Sequence, residues 1–259
     1  MKSIILAAGY AMRLRPLTEH TAKPLLPIAG RPMIDHICDK IVELDEVDQI
    51  HVVTNHRFAA GFEAWAAGRG GRVPITVHDD GTLSNDDRLG AIGDIQFTID
   101  QAGLAGDDLL VIAGDNLFDF SLVDYARFWR DKPGGSAIAL YRCPDPELVK
   151  QYSIVELDPD ERVVSFIEKP ANPTTDLVAI ATYLYRREHV PLVARYLAEG
   201  HSRDQPGNLV AWLVPRAPVY GYRFAGEWLD IGDHGQLLAA DNRARERLGQ
   251  APRSAYSVD

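Results

Sequence analysis

The chain has 259 residues, 46% of them hydrophobic and 25% charged, enough to bury the core of one large α/β domain. A formal net charge of −10 argues against nucleic acid or an anionic membrane surface as a partner. The two cysteines, Cys38 and Cys143, have no metal-ligand spacing and point to a reducing, cytoplasmic setting, and no apolar run has the length of a membrane span.

The run Ser3-Ile4-Ile5-Leu6-Ala7-Ala8, closed by Gly9, reads as a buried strand. It leads directly into a basic, proline-punctuated loop carrying Arg13, Arg15 and Lys23, which is unlike a signal peptide. Small residues after the strand let backbone N–H groups approach a ligand, and the cations suit phosphate oxygens. After Pro32, Ile34, Ile37, Cys38, Ile41 and Val42 share one helical face. Ile50–Thr54 reads as a strand, Phe58–Ala67 as a helix, Val73–Val77 as a strand and Asp79–Arg88 as a polar loop. A helix over Leu89–Gln101 and a strand over Leu109–Ala113 follow, the strand ending in Gly114-Asp115-Asn116. This alternation predicts an α/β fold with a Rossmann-like, mostly parallel sheet flanked by helices. Ligands then bind beyond the carboxyl ends of the strands, where Gly9 and Asp115 fall.

The second half is richer in strands: Ala137–Tyr141, Ser153–Leu157, Val163–Ile167 and Val178–Tyr185, with a hairpin signal at Asp158-Pro159-Asp160. Helices over Glu188–Glu199 and Asp233–Leu248 flank a strand pair, Val219–Phe224 and Trp228–Ile231. The tail Gln250–Asp259 is expected to be loosely ordered. We read one continuous domain over 1–259. A nucleotide-binding half covers 1–130, a β-rich acceptor-binding half 131–232, and a terminal helix and tail 233–259.

Leu6-Ala7-Ala8-Gly9, Arg13-Leu14-Arg15-Pro16-Leu17-Thr18 and Lys23-Pro24-Leu25-Leu26-Pro27-Ile28-Ala29-Gly30-Arg31-Pro32 occur in that order. Together they resemble the sugar-1-phosphate nucleotidylyltransferase family, the NDP-sugar pyrophosphorylases. The family pattern reads L-A-A-G-x-G-x-R-L-x-P-L-T, then P-K-P-L-L-P-V-x-G-x-P. Ala11 stands at its second glycine and Ala22 at the proline before Lys23. The resemblance implies that Leu6, Ala7, Ala8 and Gly9 line the nucleotide, that Arg13 serves the β- and γ-phosphates, and that Lys23 serves the α-phosphate and the attacking oxygen. The loop Asp80–Asp94 lies where the family reads base and ribose, which makes Asn85 and Gly90 nucleotide-binding candidates. Asn85 and Asp86 could equally be helix caps.

Asp115 at a strand end is a hard oxygen ligand suited to Mg²⁺, or a turn-capping aspartate. The resemblance implies the former, with Asp230 of Trp228-Leu229-Asp230-Ile231-Gly232 matching the W-x-D-x-G segment whose aspartate completes the metal site. Glu168-Lys169-Pro170 matches an E-K-P signature, with Lys169 on the acceptor phosphate and Glu168 on acceptor hydroxyls; as an ordinary exposed charge pair it would count for little. Ser153, Ala179 and Ala181 replace a glycine, an asparagine and a glycine of the family around the acceptor. We expect a phosphorylated, hydroxylated ring as acceptor, not necessarily glucose 1-phosphate.

The resemblance therefore implies a Mg²⁺-dependent enzyme that transfers NMP from an NTP to a sugar 1-phosphate, releasing pyrophosphate. Its partners would be those two substrates, with no nucleic acid and no membrane; homo-oligomerisation is left open. The alternatives are a cytidylyltransferase for a non-sugar alcohol phosphate or phosphonate, a metal-dependent glycosyltransferase, and a non-catalytic nucleotide-binding module. The absence of G-x-G-x-x-G after the first strand disfavours a dinucleotide-binding dehydrogenase.

Overall fold

The computed structural model describes residues 1–258. Strand β1 (Lys2–Leu6) leads through the basic loop to a small hairpin, β2 (Pro27–Ile28) and β3 (Arg31–Pro32), and then to α1 (Met33–Ile41). Next come β4 (Gln49–Thr54), α2 (Ala59–Arg69), β5 (Ile75–Asp79), α3 (Ala91–Ala102), β6 (Leu109–Ala113), β7 (Asn116–Phe118) and α4 (Leu122–Asp131). The second half holds β8 (Ser136–Arg142), α5 (Pro146–Val149), β9 (Ser153–Leu157), β10 (Val163–Ile167), β11 (Leu177–Tyr185), α6 (Leu192–Ala198) and α7 (Pro206–Leu213). It closes with β12 (Val219–Arg223), β13 (Trp228–Asp230) and α8 (His234–Arg247).

β1 lies between β4 and β6, parallel to both, and β5 extends the row beyond β4. Its residues alternate between the two faces, as a strand must. Ile5 enters the core beneath α1, α2 and α4, with Ile34, Phe62 and Tyr125. Ile4 enters the opposite core beneath α3, α6 and α7, with Ile95, Tyr196 and Leu209. Both isoleucines are fully buried, which explains an apolar run without alternation: each face has its own helical cover.

β11 joins the halves. Its last residues, Thr182–Tyr185, pair antiparallel with β6, while Val178 and Ala179 pair with β9. β8 runs along its other side, and β12 pairs parallel with β8. Ile180 and Ala181 fall in the interval between β6 and the β9–β10 ribbon. The end of β6 therefore faces the ribbon across a gap.

Four sequence expectations shift. The third strand and the following helix each begin two residues later than expected, at Ile75 and Ala91. The α6 helix starts only at Leu192, after a turn. The structure adds α7, with Pro206 in its first turn. The tail is docked rather than loose. Asn242 exchanges hydrogen bonds with the Arg253 backbone at 2.9 and 2.6 Å, and the Tyr256 hydroxyl donates to the Pro27 carbonyl at 2.7 Å. Tyr256 also packs on the cluster of Leu14, Leu26, Ile28, Met33 and Leu237, by which α8 holds the basic loop.

Candidate active site

The loop after β1 is held from within. Thr18 donates to the Ala11 carbonyl at 2.9 Å, and Asn55, fully buried, donates to the Ala8 carbonyl at 2.9 Å. Ala11 sits at φ 42°, ψ 48°, the left-handed region that favours glycine, so an alanine is strained where the family has glycine. A single 3₁₀ turn, Lys23–Leu25, folds around Pro24 and buries Lys23 to 8% exposure. Its Nζ lies 2.7 Å from Asp115 Oδ2.

Asp115 reaches that position because β6 ends against β1. The Gly114 amide donates to the Leu6 carbonyl at 2.8 Å, and a Cβ on Gly114 would stand only 2.9 Å from that oxygen and 3.1 Å from Pro24. The chain then turns into β7, which pairs antiparallel with β13 so that Asn116 opposes Asp230. This long-range register brings the second carboxylate beside the first. The Trp228 indole fixes it by donating to Asn116 Oδ1 at 3.1 Å.

Burial, then the charge of Asp115, push the Asp230 carboxyl above its ordinary range; Lys23, Arg13 and a hydrogen bond with the Tyr152 hydroxyl oppose the rise. Arg13 lies over Gly232, where a Cβ would come within 3.0 Å of Nη2. Among the described residues no group of three or more His, Cys, Asp or Glu could hold a metal ion. A pair of carboxylates is nevertheless the donor set expected where substrate phosphates complete a Mg²⁺ shell, so these residues fit that ion.

Two cavities meet at Asp115. The larger, about 420 Å³, is lined by Leu6, Ala7, Ala8, Gly9, Arg13, Lys23, Asn85, Gly90 and Asp115. The smaller, about 190 Å³, is lined by Asp115, Asp230, Glu168, Lys169, Ser153 and Tyr152. The residues to which the resemblance gives a role thus all line one or the other, whereas Arg15, the third cation of the loop, lines neither. In the smaller cavity Ser153 donates its hydroxyl to Glu168 Oε2. Gly207 is required beside them, because a Cβ there would collide with that same oxygen. Lys169, at φ 44°, extends its ammonium to 3.9 Å from Glu168 Oε1.

Sequence reasoning missed several groups. Tyr152 precedes Ser153, Arg88 closes the polar loop and Asp94 falls inside the helix expected over Leu89–Gln101, and none of the three was singled out. Arg88 forks onto both oxygens of Asp204 at 3.0 and 2.7 Å and ties the loop after β5 to the segment before α7. Gly90, at φ 79°, is pressed against that segment, its absent Cβ 2.7 Å from the Arg203 carbonyl. Nothing local in the sequence marks these contacts, which join residues more than a hundred positions apart.

The larger cavity lies beyond the carboxyl ends of the parallel strands, where open α/β sheets bind their ligands, and adjoins a second polar cavity. The sequence pattern of the nucleotidyl transferase family matches residues 2–247, and the chain belongs to that family. It is 30% identical over 237 residues to a UTP–glucose-1-phosphate uridylyltransferase of Synechocystis, covering 90% of this chain and 60% of that protein. It is 25% identical over 248 residues to the bifunctional protein GlmU of Methanocaldococcus jannaschii, covering 96% of this chain and 55% of that protein. The chain thus spans little more than half the length of these relatives. Its fold is shared with a UDP-glucose pyrophosphorylase solved with UDP-glucose, at TM-score 0.81 and 18% identity over 95% of this chain and 98% of that one. Among the described residues no helix is long and apolar enough to cross a membrane.

Proposed function

We propose that the chain transfers a nucleoside monophosphate from a nucleoside triphosphate to a sugar 1-phosphate, releasing pyrophosphate and forming an NDP-sugar. The observation that carries this reading is the meeting of two cavities at Asp115, which Lys23 holds from the larger one; the larger is lined by the phosphate loop and the smaller by Glu168 and Lys169. The acceptor's phosphate oxygen is already a nucleophile. It forms the new bond to the α-phosphorus as the bond from that phosphorus to the bridging oxygen of pyrophosphate breaks. No covalent enzyme intermediate is needed, so catalysis consists of positioning and charge neutralisation.

Arg13, held over Gly232, serves the β- and γ-phosphates that depart. Lys23 serves the α-phosphate and the incoming oxygen, with its ammonium oriented by Asp115. Asp115 and Asp230 would hold Mg²⁺, whose chemistry there is to offset the phosphates' negative charge. Glu168, steadied by Ser153, accepts hydrogen bonds from acceptor hydroxyls, and Lys169 holds the acceptor phosphate. Two buried free thiols are in keeping with a reducing, cytoplasmic setting.

The test is a panel of nucleoside triphosphates against sugar and alcohol phosphates, with pyrophosphate detection and added Mg²⁺. Pyrophosphate released in proportion to a sugar phosphate supports the reaction. Turnover only with phosphocholine or another acceptor without ring hydroxyls would replace it with a cytidylyltransferase-like reading.

A further inference from the structure

The charges acting on the two ends of the larger cavity differ. At one end Arg13 and Lys23 line the wall together with Asp115, whereas the charges acting on Asp94, on the same wall, are those of Asp80 and Asp204. Arg88, the cation lining this end, is already occupied by Asp204 at 2.7 Å.

Asp94 stands in the first turn of α3 and is only 5% exposed, yet it lines the cavity. Its Oδ1 is buried and no donor from the protein reaches it; Asp80 Oδ2 is in the same position. The other oxygen of Asp80 is taken by the Thr82 amide and hydroxyl, both at 2.7 Å. The two aspartates contact one another, and a single proton between them satisfies both buried oxygens. Burial, then the charge of Asp80, push Asp94 up to about 8 in accord with that sharing. With Oδ1 committed to Asp80, the remaining oxygen of Asp94 offers the cavity an acceptor and no donor.

We propose that Asp94 determines which base the nucleotide site accepts, its free oxygen taking a hydrogen bond from an exocyclic amine. Adenine carries such an amine on C6 and cytosine on C4, and guanine carries one on C2. Uracil and thymine have no exocyclic amine: where adenine and cytosine have it they carry a carbonyl oxygen, which would face Asp94 as a second acceptor, and their one donor on that edge is the ring N3–H. A buried acceptor left without a donor is costly, so a site built around it rejects a base that lacks the donor. This inference deepens the proposed function and rests on its placing the nucleotide in the larger cavity. The charge pattern supports the same direction, with phosphates at the basic end and base donors at the acidic end.

The test measures binding and turnover of ATP, CTP, GTP, UTP and dTTP, and of the 2′-deoxy form of the preferred nucleotide, with the full chain and two variants. The wild type should favour at least one amino base over both UTP and dTTP by about 100-fold or more, the scale of an unpaired hydrogen-bonding site. Asp94→Leu keeps the branched shape, removes the acceptor and should reduce that preference to less than about tenfold. Asp94→Asn should retain it, since its amide donates to Asp80 while its carbonyl still faces the cavity. UTP or dTTP bound as tightly as the amino bases by the wild type would overturn the inference and leave the proposed reaction standing. An unchanged preference in Asp94→Leu, or a change confined to the ribose-to-deoxyribose ratio, would also overturn it. An amino-base preference in binding with no pyrophosphate released by any sugar phosphate would support the inference and overturn the reaction. Absence of binding by every nucleotide would overturn both.

Discussion

Replacing Lys23 by alanine separates the chemistry of this site from its stability. The lysine is 8% exposed, lines the larger cavity, and places its ammonium 2.7 Å from Asp115, the residue at which the two cavities meet. Losing a preorganised donor at developing charge costs roughly 10²–10³ in kcat, or about 3–4 kcal/mol of barrier. The cost to folding is smaller. The Asp115 side chain is 37% exposed, so water screens it once its partner is gone. The pair then contributes under about 1 kcal/mol, or roughly 2–4 °C in Tm for a chain of this size. Steady-state pyrophosphate release, with KM for each substrate, is measured beside thermal melting. A kcat within tenfold of wild type would remove Lys23 from the chemistry. An activity loss matched by a collapse in Tm would show that the lysine is structural.

Asp230→Asn should abolish most activity and raise the Mg²⁺ concentration needed for the remainder, whereas full activity of EDTA-treated wild type without added metal would eliminate the ion. Glu168→Ala should raise KM for a polyol acceptor about tenfold and leave KM for the nucleotide unchanged; an equal rise in both would place Glu168 outside the acceptor site. Gly90→Ala combines a φ of 79° with a Cβ 2.7 Å from the Arg203 carbonyl, so melting should show a loss of about 1–3 kcal/mol. Asp94 titrates near 8 when folded against an ordinary 3.8, so folding takes up a proton and each rise in pH between those values weakens the fold. Asp94→Asn carries its own hydrogens, and its gain in Tm over wild type should therefore grow from pH 4 to pH 8; a gain independent of pH would refute the shared proton.

Much of this architecture is written locally. Ser3-Ile4-Ile5-Leu6 has no polar alternation because both faces of β1 are covered, and that alone identifies a central parallel strand. The loop from Gly9 to Lys23 is contiguous, so its order of residues could be read directly. Asp115 and Asp230 were also recognisable, but their proximity depends on the register of Asn116 against Asp230, which no local pattern encodes. Asp94 looked like any acid in a first helical turn until its burial against Asp80 was visible. The tail failed for a related reason. Its composition reads as disorder, and its anchors are the single side chains of Asn242 and Tyr256, which meet partners elsewhere in the chain.

The interval at Ile180 and Ala181 has a consequence for how such an enzyme diversifies. One strand pairs with β6 through its last residues and with the β9–β10 ribbon through Val178 and Ala179; on the proposed reaction the nucleotide lies on the first side, the acceptor on the second, and the two meet over the stretch between. Ser153 lies on β9, and Glu168 and Lys169 follow β10 directly, whereas the phosphate loop hangs from β1. Replacements in the ribbon can therefore change which acceptor is taken without moving a strand that supports the triphosphate.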